Sequence, residues 1–235
     1  MEILYEDKDI IVINKPAGIA TQTKKVGEKD IVSDLKKYFK GAYVGVVHRL
    51  DQPVSGLLVF AKNKQSASAL SREVASKGDA GFSKNYTAIC LPDGDYVKKA
   101  TLENRLVKLK EGLARIVKPD EEKDYPDAKS AVLSYEVSGE YKSVTGDKLL
   151  CVKVSLMTGR FHQIRVQLAG ADLPIVGDLK YGSEKSKEAA AKLGIKRVLL
   201  CADRLSFKHP VSGKNLEFTC DAFRDIIEHS CLAGE

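Results

Sequence analysis

The sequence predicts an α+β protein with a central mixed, mainly antiparallel sheet flanked by helices. Strand-like apolar runs are many and helical periods few, and the runs near residues 44–61 are short, β-branched and bounded by glycine. At 235 residues the chain is long enough to bury a full core, as one large domain or as two lobes.

The elements follow in order. Residues 10–14, all apolar until Asn14, read as a buried strand stopped by Lys15-Pro16. Ile31, Leu35, Tyr38 and Phe39 recur at helical spacing, with Asp30 as cap and Gly41 as stop. Residues 44–47 and 57–61 are strand-like and flank a polar connection holding Asp51, Pro53 and Gly56. Ala67, Leu70 and Val74 mark a second helix ending at Gly78, and residues 84–91 alternate and then turn apolar, as a central strand does. Further strands are expected at 113–117, 131–137, 149–156, 197–200 and 216–218. Residues 120–129 are charged, contain Pro126 and form a surface loop. An exposed helix is expected over 182–194 and a last one from about 221 to 228.

Composition narrows the function classes. Thirty-eight basic against 32 acidic side chains leave a formal charge of +6, a mild excess that suits a polyanionic partner without requiring one. Lys24-Lys25, Lys36-Lys37 with Lys40, and Lys98-Lys99 could line a phosphate track or simply be solvated faces. The five cysteines show no C-x-x-C pair and several sit in apolar runs, which reads as reduced thiols in a cytoplasmic protein. No pair among the four histidines has metal-ligand spacing, so no metal is expected. No glycine-rich dinucleotide or triphosphate motif occurs, so no nucleotide cofactor is expected. The first residues lack a basic region followed by an apolar core, and no apolar run approaches the roughly twenty residues of a membrane span.

The most informative string is His48-Arg49-Leu50-Asp51, followed by Gln52-Pro53-Val54-Ser55-Gly56 and an apolar run ending in Ala61-Lys62. It sets a carboxylate on a tight turn between two strands, where a nucleophile would sit. By itself Asp-x-Pro-x-Ser-Gly also describes a hairpin turn whose aspartate bonds its own backbone. As a whole the string resembles the catalytic motif of RluA-type pseudouridine synthases, in which the aspartate, here Asp51, catalyses uridine isomerisation in RNA.

Other strings extend the resemblance. Residues 9–18, from Asp9 through Lys15-Pro16 to Gly18, are similar to the family's opening motif. Lys84-Asn85-Tyr86-Thr87-Ala88 is similar to its Lys-x-Tyr-x-Ala strand, which implies that Tyr86 packs on the target base. Read alone, Tyr86 is a core tyrosine. Thr158-Gly159-Arg160-Phe161-His162-Gln163-Ile164-Arg165 resembles the family's Thr-Gly-Arg-x-His-Gln-Ile-Arg, continued by Pro174-Ile175-Val176-Gly177-Asp178 and Tyr181-Gly182. Its spacing reads as a short amphipathic helix, with Ile164 and Leu168 toward a core and His162 and Arg165 on another face. The resemblance implies that Arg165 pairs with the catalytic carboxylate and that Arg160, His162 and Gln163 contact substrate. Three places depart from the pattern: Phe161 replaces a small or polar residue, Gln167 the common histidine, and Asp172-Leu173 the usual Gly-His. All lie beside the inferred catalytic positions and bear on which RNA is recognised. The resemblance spans residues 3–218 and implies one catalytic domain over 1–235, with no separate RNA-binding domain.

Pseudouridine formation breaks the N1–C1′ bond, turns the uracil and joins C5 to C1′, with no redox change and therefore no cofactor. An aspartate has a reference pKa near 3.9, and a neighbouring arginine lowers it by about one to three units, so Asp51 would act as nucleophile or base. Three routes stay open: addition to C1′, deprotonation at C2′ to a glycal, and attack on C6. Tyr86 would support the ring and assist proton removal from C5. The target nucleotide must be flipped out, and Arg49 suits the vacated space because a guanidinium plane can both stack and bind phosphate. His48 is read either as shaping the loop or as touching RNA. The expected substrate is ribosomal large-subunit RNA or transfer RNA, acted on by a monomer. A glycosidic hydrolase would need a second carboxylate, for which Asp178 is the candidate, and an RNA-folding factor would retain binding with catalysis dispensable.

Overall fold

The apolar and alternating runs become strands in the computed structural model, which describes residues 1–23, 27–76, 81–223 and 231–232. In chain order the elements are β1 (Glu2–Glu6), β2 (Ile10–Lys15), α1 (Ile31–Tyr38), β3 (Gly45–Val46), β4 (Ser55–Ala61), α2 (Lys64–Ala75) and β5 (Ser83–Cys90). They continue as β6 (Lys99–Lys108), β7 (Ala114–Val117), β8 (Lys129–Ser143), β9 (Lys148–Leu156), α3 (Gln163–Ala169), α4 (Glu184–Lys192), β10 (Leu200–Lys208), β11 (Asn215–Thr219) and β12 (Cys231–Leu232). The expected α+β class with mixed, mainly antiparallel strand pairing is what the structure has. The chain gathers into two compact units, Met1–Asn85 with Cys201–Ala222, and Tyr86–Leu200 with Phe223–Glu235.

In the first unit β2 lies between β1 and β4, antiparallel to both, and β3 and β10 pair with the other edge of β4. The mixed character comes from β10, which runs parallel to β4, with Cys201 opposite Ser55 and Ala202 opposite Gly56. Ile10, Val12, Leu57, Val59, Leu70, Leu205 and Phe207 form one core cluster, so β2 and β4 are apolar because they are covered. Helix α1 begins where expected, with the Asp30 carboxylate accepting the Ser33 N–H at 2.7 Å, and Asn63 caps α2 by accepting the Ser66 N–H at 2.8 Å.

A polar latch ties two turns of this unit together. His209 Nδ1 accepts the N–H groups of Ser212 at 3.0 Å and Val211 at 3.3 Å, so Nε2 carries the proton and donates to Asp7 Oδ2 at 2.8 Å. Asp7 and Asp9 bring potential metal-ligand atoms within 4.8 Å of His209. Because Nε2 carries the hydrogen, it offers no lone pair to an ion, and the group reads as a latch.

The second unit is built on the antiparallel order β9–β8–β6–β7, with β12 pairing the end of β8. A bulge between Val137 and Gly139 breaks the register of the long β8. Helix α3 packs Val166 against Leu106, Ala114 and Ala131 of β6, β7 and β8.

Several expectations need correction. The strand expected over 197–200 starts late: β10 begins only at Leu200, because the Leu199 backbone bonds Ile89 and Val176 outside a regular ladder. Strand β6 was not foreseen, since its burial is partial and its sequence rich in charge. Helix α4 is not simply exposed, for Ser186, Ala189 and Ala190 are buried. Helix α3 is not amphipathic: every residue from Gln163 to Leu168 is buried, with the polar ones held by specific partners. The last helix falls almost wholly outside the described residues, as do Lys24-Lys25 and the Gly78 stop. Lys98 and Lys99 face Glu140 at 2.8 Å and Glu136 at 3.1 Å, so that pair belongs to a solvated, charge-balanced face.

Candidate active site

In the first unit the site residues His48, Arg49 and Asp51 share the connection between β3 and β4, and the chain around them is fastened from several sides. The Thr21 hydroxyl donates to the Leu50 carbonyl at 2.8 Å and accepts the Leu50 N–H at 3.1 Å. The Gln52 carbonyl accepts the Gly18 N–H at 2.8 Å, and the Gln52 side-chain amide donates to the Gly18 carbonyl at 3.0 Å. The Val54 N–H closes a turn on the Asp51 carbonyl at 3.1 Å. Asp51 is thus half-buried on a braced turn, while Arg49 is exposed beside it.

Gly56 ends this turn at φ +119°, and a Cβ there would lie 2.3 Å from the Ala202 carbonyl oxygen, so only glycine lets β10 run beside β4.

His48 sits inside rather than at the surface. Its Nε2 accepts the Val59 N–H at 3.2 Å and its ring meets Phe82 edge-on, while Nδ1 has no partner among the described residues. Burial, and then the charge of Lys84, push its pKa well below the usual imidazole range. A neutral buried imidazole thus receives a β4 backbone hydrogen bond next to the Asp51 loop.

Lys15 was read only as a strand stop, yet it is the largest fully buried side chain near this loop. It pairs with Gly56 across β2 and β4, and its ammonium donates to the carbonyls of Ile19 at 2.8 Å, Pro16 at 3.0 Å and Gln52 at 3.3 Å. Burial lowers its pKa to about 8, and the Asp51 charge acts in the opposite sense. The signal is present in the sequence: a lysine closing a strand that opens with four apolar residues has to put its charge into the interior and find acceptors there.

In the second unit Arg165 lies 3% exposed and forms a bidentate pair with Asp178, Nε to Oδ2 at 2.6 Å and Nη2 to Oδ1 at 2.7 Å. Asp178 Oδ1 also accepts the N–H groups of Lys180 and Tyr181. Gly177 precedes Asp178 at φ +79°, and a Cβ on Gly177 would lie 2.0 Å from the Arg197 carbonyl oxygen. His162 opens α3 in the left-handed region at φ +53° and is linked to the Tyr181 hydroxyl at 2.7 Å. That hydroxyl also accepts the Ala114 N–H, and burial together with Arg165 and Lys180 pushes the His162 pKa down to about 3.

Gln163, which the resemblance places at the substrate, is 2% exposed and ties the loop ahead of α3 to β8. Its Oε1 accepts from the Thr158 hydroxyl and the Arg160 N–H, and its Nε2 donates to the Val132 carbonyl. Arg160 is half-buried, with Nε on the Ser130 carbonyl. Tyr86 is 4% exposed on β5. The sequence singled out Arg165 but not the Tyr181 hydroxyl, whose two partners are remote in sequence.

Residues 9–170 match the family model described as RNA pseudouridylate synthase. The chain belongs to that family. The matched stretch contains Asp51, Tyr86 and Arg165, and the family named from the His-Arg-Leu-Asp string is borne out. Uncharacterized RNA pseudouridine synthase YhcT of Bacillus subtilis is 32% identical over 218 residues, covering 90% of this chain and 65% of the relative. Ribosomal large subunit pseudouridine synthase C of Pasteurella multocida is 31% identical over 220 residues, 92% of this chain and 62% of the relative. The chain therefore spans a little under two thirds of the length of these curated pseudouridine synthases. Among solved structures, Human RNA Pseudouridylate Synthase Domain Containing 1 superposes with a TM-score of 0.76 at 24% identity, covering 99% of this chain and 90% of that one. Human RNA Pseudouridylate Synthase Domain Containing 4 gives 0.69 at 24% identity, with 97% and 91% covered. These two share the pseudouridine synthase fold. Among the described residues no helix is long and apolar enough to cross a membrane.

Proposed function

We propose that this chain is an RNA pseudouridine synthase of the RluA type, isomerising specific uridines in ribosomal large-subunit RNA or transfer RNA without a cofactor. The observation that carries the reading is Asp51, a carboxylate on a turn braced by Thr21, Gly18 and the buried Lys15, inside the stretch that matches the family model. The names of relatives such as ribosomal large subunit pseudouridine synthase C favour a ribosomal target.

In this reading Asp51 acts as nucleophile or base on the flipped uridine. Tyr86 supports the uracil and assists proton removal from C5, and Arg165, held in orientation by Asp178, serves the carboxylate. Exposed Arg49 fills the space left by the base, at a site where flipping costs a few kcal/mol, least in loops and bulges. Arg160 and His162 stand nearest the RNA on the second unit, whereas His48 and Gln163 support the loops that carry the others. The chain works as a single catalytic module, as a monomer and in the cytoplasm, a compartment that suits the buried thiols of Cys90 and Cys151.

The test is to incubate the protein with unmodified total RNA, derivatise with carbodiimide, and map reverse-transcription stops against an Asp51→Asn control. Stops that require Asp51 name both chemistry and substrate. Turnover retained by Asp51→Asn would remove Asp51 from its role, and release of free uracil would favour hydrolysis.

A further inference from the structure

Phe161 lies two residues ahead of α3, and its surroundings carry an inference that rests on the proposed RNA substrate. The ring is 38% exposed. It stacks on His162 with centroids 3.7 Å apart and 22° between planes, and the Lys108 ammonium stands 4.6 Å from its centroid. Two groups at those distances cannot share one face of a six-membered ring, so His162 backs one face and Lys108 covers the other.

Cations outnumber the one carboxylate around the ring, Asp178, which Arg165 holds in a bidentate pair. Lys108 and Lys180 both act on the His162 imidazole, and neither has a carboxylate partner among the described residues. The Lys180 ammonium donates to the Gly112 carbonyl at 3.1 Å, and both lysines are exposed. Arg160 precedes the ring in the chain with its Nε fixed on Ser130. An exposed Phe alone would call for no explanation. An exposed Phe rigidly backed by a second ring and covered by a mobile cation is different, because a lysine side chain can be drawn off the ring by a phosphate and leave a flat apolar face.

We propose that Phe161 is a stacking platform for an unpaired nucleobase of the RNA substrate, with Lys108 and Lys180 taking the adjoining phosphates. A base presents a π-face of any sequence, and aromatic stacking with neighbouring cations is the general means of holding single-stranded nucleic acid. Such a platform shifts RNA preference toward sites with an unpaired base.

The experiment measures binding of an unmodified large-subunit ribosomal RNA transcript to the full chain by filter retention, together with the single-turnover rate at saturating RNA. Phe161→Ala is expected to weaken binding about five-fold or more and leave the saturated rate within about two-fold. Phe161→Trp should bind as the unaltered chain does, and Phe161→Leu, apolar but without a π-face, should follow the alanine variant. Lys108→Ala should lower affinity and reduce the slope of log K against log salt by about one. Equal thermal midpoints for these variants confirm that the fold is kept. Binding by Phe161→Ala within two-fold of the unaltered chain, or full affinity in Phe161→Leu, overturns the platform. Binding with the expected variant pattern but no pseudouridine upholds the platform while refuting the synthase, and no binding by the unaltered chain overturns both.

Discussion

The guanidinium of Arg165 and the carboxylate of Asp178 meet through two parallel hydrogen bonds of 2.6 and 2.7 Å, with both side chains almost wholly out of solvent. The arginine is therefore aimed by the fold before any substrate arrives. Asp178→Asn removes the charge but nearly keeps the shape, leaving a buried cation poorly compensated. It should cost about 3–5 kcal/mol in urea unfolding, as expected for breaking one side of a buried pair. A loss under about 1 kcal/mol would mean that the arginine is satisfied elsewhere.

Lys15 braces the Asp51 turn from beneath. Lys15→Met keeps the length of the side chain but leaves the carbonyls of Pro16, Ile19 and Gln52 without this donor, and should destabilise the chain by at least about 2 kcal/mol. Its pKa near 8 means that the cation near Asp51 is lost as pH rises through that value. The pseudouridylation rate should fall above about pH 8, and the fall should vanish in Lys15→Met. A flat profile in the unaltered protein counts against this coupling.

His48 and His162 are both held below the ordinary imidazole range, by burial first and then by neighbouring cations. Depressed folded-state values mean that the unfolded chain binds these protons more readily. Their contribution is complete above the unfolded value near 6.5 and is lost as pH falls below it, by up to about 1.4 kcal/mol per pH unit for each ring. Urea midpoints compared at neutral and mildly acidic pH should show this, and His162→Gln should flatten the dependence.

Gly56 tolerates no side chain. Gly56→Ala would force a methyl into the Ala202 backbone in a positive-φ conformation, and the protein should be lost from the soluble fraction or unfold at markedly lower urea. Near-normal stability would show that the parallel pairing of β4 and β10 can open at no cost.

Legibility followed the range of the forces involved. Helix α1 was readable because its period, its Asp30 cap and its glycine stop are all local, and β2 because a short, wholly apolar run has few alternatives. The strand over 197–200 was misplaced because apolar residues there are buried by pairing with remote backbone, a cause that leaves no period in the sequence. Helix α3 was misjudged because arginine and glutamine look like a wet face, yet each is buried with its own partner: Asp178 for Arg165, Thr158 and Val132 for Gln163.

The sequence by itself determined the family, the mainly antiparallel α+β class and the three strings around Asp51, Tyr86 and Arg165, because a motif is a linear record of residues that chemistry needs together. Only the tertiary structure decided that Lys15 lies inside, that His48 and Gln163 brace loops, and that Asp178 aims Arg165. Those roles depend on which distant carbonyl, amide or carboxylate ends within about 3 Å, a distance that folding sets and spacing along the chain does not.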